Sequence, residues 1–141
     1  SVTRARNFTA RLGCPLAIID KRRQRANVSE VMNIIGDVSG KKIILVDDMI
    51  DTAGTLCNAA VALREKGGAA EIMACATHAV LSGPAVERIK NSPIDELVLL
   101  DTIPMPEEKM LPNFTILPTA PLFAEAIERI YEDKPVSPMF V

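Results

Sequence analysis

Five short apolar segments rich in β-branched residues recur along the chain, at 16–19, 42–46, 72–77, 97–100 and 114–117. Nearly continuous apolar runs of this length mark strands buried on both faces. Helical patterns lie between most of them. Leu56, Ala59, Ala60 and Leu63 fall at i, i+3, i+4 and i+7, and Gly67-Gly68 stops that helix. Ser82-Gly83-Pro84 opens a second, running to about Lys90 with Ser82 as its N-cap. Leu122, Phe123, Ala126, Ile127, Ile130 and Tyr131 form the apolar stripe of a third, and residues 3–12 read as a fourth. Strands that alternate with helices predict a mainly parallel sheet with helices on both faces, an α/β fold.

Two stretches break the alternation. Residues 20–27 are polar and basic, with Lys21, Arg22, Arg23 and Arg25 against one aspartate, and residues 30–36 can form an extra strand after them. Residues 103–112 carry three prolines and two glutamates and read as a surface loop. The first residues already follow a helical pattern. A parallel sheet that starts on a helix implies a preceding strand, so a truncated chain is expected.

The 141 residues suffice for one domain with a real core, and 48% hydrophobic with 24% charged residues is a globular composition. A net charge of -2 gives no bulk attraction to nucleic acid or to an anionic membrane. No apolar run is long enough to span a bilayer, and the N-terminus has no signal-peptide pattern. Cys14, Cys57 and Cys75 are odd in number and form no C-x-x-C pair. They are expected to be small packing residues in a reducing cytoplasm rather than a disulfide or zinc framework. One histidine, His78, excludes a His-rich metal cluster within this chain.

The chemistry concentrates where the run 42–46 ends. Asp47 and Asp48 come next, then Asp51-Thr52-Ala53-Gly54-Thr55 leads into a helix. Ligands of parallel sheets bind beyond the carboxyl ends of the strands. Small and hydroxylated residues at a strand-to-helix turn leave backbone N–H groups free for an anion, and the helix dipole favours negative charge there. Two readings fit these residues. In one, Thr52 or Asp51 merely caps the helix and the acids are solvated; in the other, the loop holds a phosphate and the acids hold hydroxyls or a metal. The nearest P-loop lookalike, beginning at Gly36, has three residues between its glycines and no Ser or Thr after its lysine.

The complete string Val46-Asp47-Asp48-Met49-Ile50-Asp51-Thr52-Ala53-Gly54-Thr55 resembles the phosphoribosyl pyrophosphate (PRPP) motif of type I phosphoribosyltransferases and ribose-phosphate pyrophosphokinases. That resemblance implies a type I phosphoribosyltransferase-like parallel sheet flanked by helices. It makes Asp47 a ribose contact, and Asp51, Thr52, Ala53, Gly54 and Thr55 the loop for the 5-phosphate. Residues 15–23, P-L-A-I-I-D-K-R-R, resemble the catalytic flexible loop of the pyrophosphokinases, which simple phosphoribosyltransferases lack. Placed after a strand, this loop is expected to leave the sheet edge that carries the phosphate loop. The match implies that Lys21 is the catalytic lysine. It makes Arg23 its partner on ribose 5-phosphate and on the transferring phosphates.

Thr3-Arg4-Ala5-Arg6, Ala76-Thr77-His78, Leu81-Ser82-Gly83 and the closing Val136-Ser137-Pro138-Met139-Phe140 are similar to the same family, so the resemblance covers essentially the whole chain. It implies that residues 1–141 are the C-terminal domain of a pyrophosphokinase whose N-terminal half is absent. The implied reaction transfers pyrophosphate from ATP to the C1 hydroxyl of ribose 5-phosphate, giving PRPP and AMP in the cytoplasm. Magnesium is the implied cofactor, with its ligands mainly in the missing half and none in this chain. His78 is not the family's metal-binding histidine by position and reads as a packing or strand-end residue. A homo-oligomer, a hexamer in the family, is implied, with Ser137 and Phe140 in an allosteric site although Pro135 replaces the usual first serine. Two alternatives remain: a type I phosphoribosyltransferase that consumes PRPP, and a non-catalytic regulatory relative. The fragment alone is expected to be inactive.

Overall fold

The computed structural model describes residues 2–22 and 31–140. Helix α1 (Val2–Leu12) comes first, followed by strands β1 (Ile18–Arg22) and β2 (Val31–Ile35). The alternation then begins: β3 (Lys42–Ile50), α2 (Gly54–Glu65), β4 (Glu71–Ala79), α3 (Ala85–Lys90), β5 (Glu96–Leu100), β6 (Phe114–Leu117) and α4 (Ala120–Tyr131). Strands β3-β4-β5-β6 lie side by side in that order and all run parallel. The expected α/β fold, a parallel sheet flanked by helices, is present.

The register explains the core. Ile43 pairs with Ile72, Leu45 with Ala74, Ala74 with Leu97, and Leu97 with Phe114, so these residues share one face. Ile72, Ala74, Leu97 and Leu99 have no exposed surface, and Ala60 and Leu63 of α2 belong to the same cluster. Many core residues are alanines, which lets the helix lie close on the strands. Just past α2, Gly67 has no room for a side chain: a Cβ there would stand 2.6 Å from Val38 Cγ2 and 2.7 Å from the Leu63 carbonyl.

Arg64 closes the bottom of this layer. Its guanidinium donates to the carbonyls of Ala69 and Ala70 and to Asp95 Oδ2, the last at 2.6 Å, while Asp95 also accepts the Ile72 N–H at 2.7 Å. Arg64→Ala would orphan these acceptors at the start of β4. It is expected to lower stability by about 1–3 kcal/mol, read as a lower urea midpoint at constant slope. An unchanged midpoint would show the network to be surface decoration.

Three expectations are corrected. The segment at 16–19 does not join the parallel sheet. It leads into β1, which pairs antiparallel with β2 in a separate two-stranded ribbon, Ile18 opposite Ile35 and Lys21 opposite Met32. Only Ile18 and Ile19 open the strand before Asp20, Lys21 and Arg22, so it cannot be apolar on both faces along its length. A nearby antiparallel partner satisfies its backbone without a crossover. The extra strand expected at 30–36 is that partner.

The strand expected at 42–46 continues to Ile50 and forms one end of the four-stranded sheet, with Ile44, Val46 and Met49 each about half exposed rather than buried. Phe8 and Leu12 of α1 face Ile44 and Val46 across a cleft of about 760 Å³ at that edge. Finally, the stripe of α4 is amphipathic as expected but uncovered. Leu122, Phe123, Ile127, Ile130 and Tyr131 are 48–89% exposed, and no residue of α4 is buried. Its start is held by Asp101, which accepts the Thr119 hydroxyl and N–H at 2.6 and 2.7 Å. Those bonds hold the Asp101 carboxyl below its ordinary range.

Candidate functional site

The carboxyl ends of β3 and β4 send two loops out side by side, because parallel neighbours put their following turns at the same edge. Residues 51–53 join β3 to α2, and residues 80–84 join β4 to α3. Ala53 is buried and adopts the left-handed conformation, φ 57°. Leu81, also buried, does the same at φ 47°. Non-glycine residues there carry strain of roughly 1–3 kcal/mol and keep that shape only where their surroundings fix it.

The surroundings here do so through hydrogen bonds between the loops. The Leu81 N–H donates to the Ile50 carbonyl and the Ser82 N–H to the Asp51 carbonyl, both at 3.0 Å. The Ser82 hydroxyl donates to Asp51 Oδ1, and Lys109 Nζ donates to the Leu81 carbonyl at 2.9 Å. Arg88 Nη1 donates to the Thr52 carbonyl at 2.9 Å.

The loop ends at a helix start with no side-chain cap. The N-cap position is Ala53, which has no polar side chain, and the first helical bond runs from the Cys57 N–H to its carbonyl at 3.0 Å. The N–H groups of Gly54, Thr55 and Leu56 precede that bond, as the first turn of any helix leaves them. The capping reading of Thr52 and Asp51 therefore does not hold. What the turn offers is backbone N–H groups at the positive end of a helix, next to the exposed residues Asp51, Thr52 and Thr55. Asp47 lies upstream, inside β3 rather than beyond it, opposite Ala76. It is exposed, its Oδ1 accepts the Asp48 N–H at 2.9 Å, and it lines the same cleft as Thr55. Asp47, Asp51, Thr52, Ala53, Gly54 and Thr55 are thus gathered at one strand-to-helix junction.

Lys21 is a backbone partner of Met32 in the antiparallel ribbon, so the basic segment begins in β1 and not in a strand of the parallel sheet. Arg23 lies outside the described residues, as does most of the basic segment at 20–27. Ser137 and Phe140 belong to an exposed 3-10 turn, Ser137–Phe140, whose Phe140 carbonyl accepts from Arg11 Nη2 of α1 at 3.1 Å. His78 sits near the end of β4, exposed rather than packed, with Nδ1 2.9 Å from the Thr102 hydroxyl. That hydroxyl donates to the Thr77 carbonyl, so His78 Nδ1 carries the proton between them.

Cys57 is buried and Cys75 partly so, and burial pushes both thiols up, which keeps them neutral packing groups. Cys14 is exposed, against the expectation that it packs. Among the described residues no group of three or more His, Cys, Asp or Glu side chains is placed to hold a metal ion.

Sequence reasoning does not single out Ser82, Arg88 and Lys109 as site residues. Ser82 looks like the cap of the next helix, but α3 starts after Pro84 without a side-chain cap, and the hydroxyl goes to Asp51. The signal that could have found it is topological: the turns after two adjacent parallel strands must meet.

The phosphoribosyl synthetase-associated domain matches residues 22–141. The chain belongs to that family. It is 66% identical over 140 residues to a ribose-phosphate pyrophosphokinase of Caldanaerobacter subterraneus, covering 99% of this chain and 44% of the relative. It is 62% identical over 139 residues to the one from Clostridium acetobutylicum, covering 99% of the chain and 43% of that protein. Among solved structures, a phosphoribosylpyrophosphate synthetase from Mycobacterium smegmatis superposes with a TM-score of 0.84 at 40% identity. That match covers 94% of this chain and 42% of the other. The chain thus spans less than half the length of these family members. The expected placement at their C-terminal end rests on the resemblance of its segments, not on those shares. No helix among the described residues is long and apolar enough to cross a membrane.

Proposed function

We propose that this chain supplies the ribose 5-phosphate site and catalytic loop of a ribose-phosphate pyrophosphokinase. The observation that carries the reading is the uncapped start of α2: Ala53 in a left-handed turn leaves N–H groups of Gly54, Thr55 and Leu56 without helical acceptors, beside Asp47. A phosphate satisfies such a turn, and a carboxylate a few residues upstream suits the hydroxyls of the sugar that bears it. High identity to relatives named as pyrophosphokinases supports the same substrate class.

In this reading the 5-phosphate rests on Asp51, Thr52, Ala53, Gly54 and Thr55, and Asp47 holds ribose hydroxyls. The C1 oxygen of ribose 5-phosphate forms a bond to the β-phosphorus of ATP as the bond to the α-phosphate oxygen breaks. The proton of the C1 hydroxyl is lost and AMP leaves. Charge spreads over the transferring group, and Lys21 and Arg23 offset it. Arg23 also contacts the sugar phosphate. Magnesium enters as the partner of ATP, with ligands from outside this chain. A cytoplasmic homo-oligomer completes the proposal, supported by the uncovered apolar face of α4. Ser137 and Phe140 belong to its allosteric site.

Mixing the full-length protein with ATP, magnesium and ribose 5-phosphate and following AMP tests the reading. Stoichiometric AMP and PRPP are expected. Consumption of PRPP with a nucleobase, and no AMP, would make the protein a phosphoribosyltransferase. No turnover of either kind would make it a regulatory relative.

A further inference from the structure

Resting on the site just proposed, we infer that Arg88 is a positioning residue for the phosphate loop, holding the turn in its anion-binding shape from the neighbouring helix. Arg88 comes from α3, 36 residues beyond the carbonyl it binds. Its Nη1 donates to the Thr52 carbonyl at 2.9 Å. Thr52 directly precedes Ala53, the left-handed residue, and a carbonyl fixed on one side of Ala53 fixes the peptide plane from which the turn reverses. On the other side, the first helical bond already holds the Ala53 carbonyl. The strained residue is therefore clamped at both ends, and the clamp on the loop side is Arg88.

Gly54 fits this role. Its backbone is not in the left-handed region, so glycine is not needed there for its conformation. A Cβ at position 54 would stand 3.3 Å from Arg88 Nη1, closer than side chains normally sit, with Arg88 Cζ at 4.0 Å. The absent side chain leaves room for the guanidinium against the first turn of α2. Among the described residues no carboxylate pairs with Arg88, so its charge remains to favour an anion on that turn. A lysine could keep the charge but not the planar fork that sets the direction of the bond.

The test uses initial rates of the full-length enzyme, varying ribose 5-phosphate at saturating ATP and the reverse, for Arg88→Met, Arg88→Lys, Gly54→Ala, the Gly54→Ala/Arg88→Met double variant, and Thr55→Ala. Arg88→Met is expected to raise the KM for ribose 5-phosphate about fivefold, the scale of one ordinary hydrogen bond. The KM for ATP and the thermal midpoint should hold. Arg88→Lys is expected to recover part of the loss. Gly54→Ala should raise the same KM alone but add nothing in the Arg88→Met background, since both act on one contact. If Thr55→Ala weakens ribose 5-phosphate while Arg88→Met does not, the inference is overturned and the site stands. If Thr55→Ala has no effect, the site itself is misassigned. Equal rises for both substrates, or a lowered thermal midpoint, would make Arg88 a general structural residue and overturn the inference as well.

Discussion

Replacing Lys21 with alanine in the full-length protein is expected to lower kcat by about 10²–10³-fold, the scale of losing one well-placed electrostatic stabiliser. Ribose 5-phosphate affinity should hardly change. In the proposed reaction, negative charge builds on the transferring pyrophosphoryl group, and Lys21 acts there and not on the sugar phosphate. Its place supports the difference: Lys21 lies on the antiparallel ribbon of β1 and β2, while the phosphate loop belongs to the parallel sheet. Single-turnover rates of AMP formation read the chemical step directly. Near-normal rates in Lys21→Ala would reduce the basic segment to a solvated surface.

The 141-residue chain alone is expected to produce no AMP above background from ATP, magnesium and ribose 5-phosphate. It spans 43–44% of the length of its relatives, and its described residues gather no metal-binding cluster. Positioning of the two reactants can account for roughly 7–11 kcal/mol of a barrier, which charge stabilisation by a lysine and an arginine cannot replace. The uncovered stripe of α4 and the open side of β3 should also make the isolated chain self-associate, visible as a concentration-dependent sedimentation coefficient. Turnover by the chain comparable to that of the full-length protein would show that ATP and metal handling reside here.

The parallel sheet is legible in the sequence because its strands are short apolar runs separated by helical stripes, and both signals are local. Where sequence and structure part, the deciding partner is remote or ambiguous. The run 16–19 looks like a sheet strand until Val31–Ile35 is seen to pair with Ile18–Arg22. The strand before Asp47-Asp48 looks complete at Val46, but its pairing with β4 carries it through Met49, opposite His78, to Ile50. Two acids inside a strand are tolerated because this part of β3 is exposed. The stripe of α4 is plainly amphipathic in the sequence, yet amphipathicity does not say whether a partner lies within the same chain. At the site, the loop itself is visible as a string of residues. The braces from Ser82 and Arg88 are not, since they reach it from 31 and 36 residues away through the sheet topology, and Lys109 in turn holds the neighbouring loop at Leu81.

We propose that the turn from Asp51 to Thr55 binds the phosphate of ribose 5-phosphate. Hydrogen exchange of the full-length protein, read peptide by peptide with and without ligand, tests it most directly. Ribose 5-phosphate is expected to slow exchange across residues 51–56, where the N–H groups ahead of the first helical bond gain an acceptor, and ATP alone should not. Protection by ribose 5-phosphate confined to other segments, with residues 51–56 exchanging as in the free protein, would contradict the account.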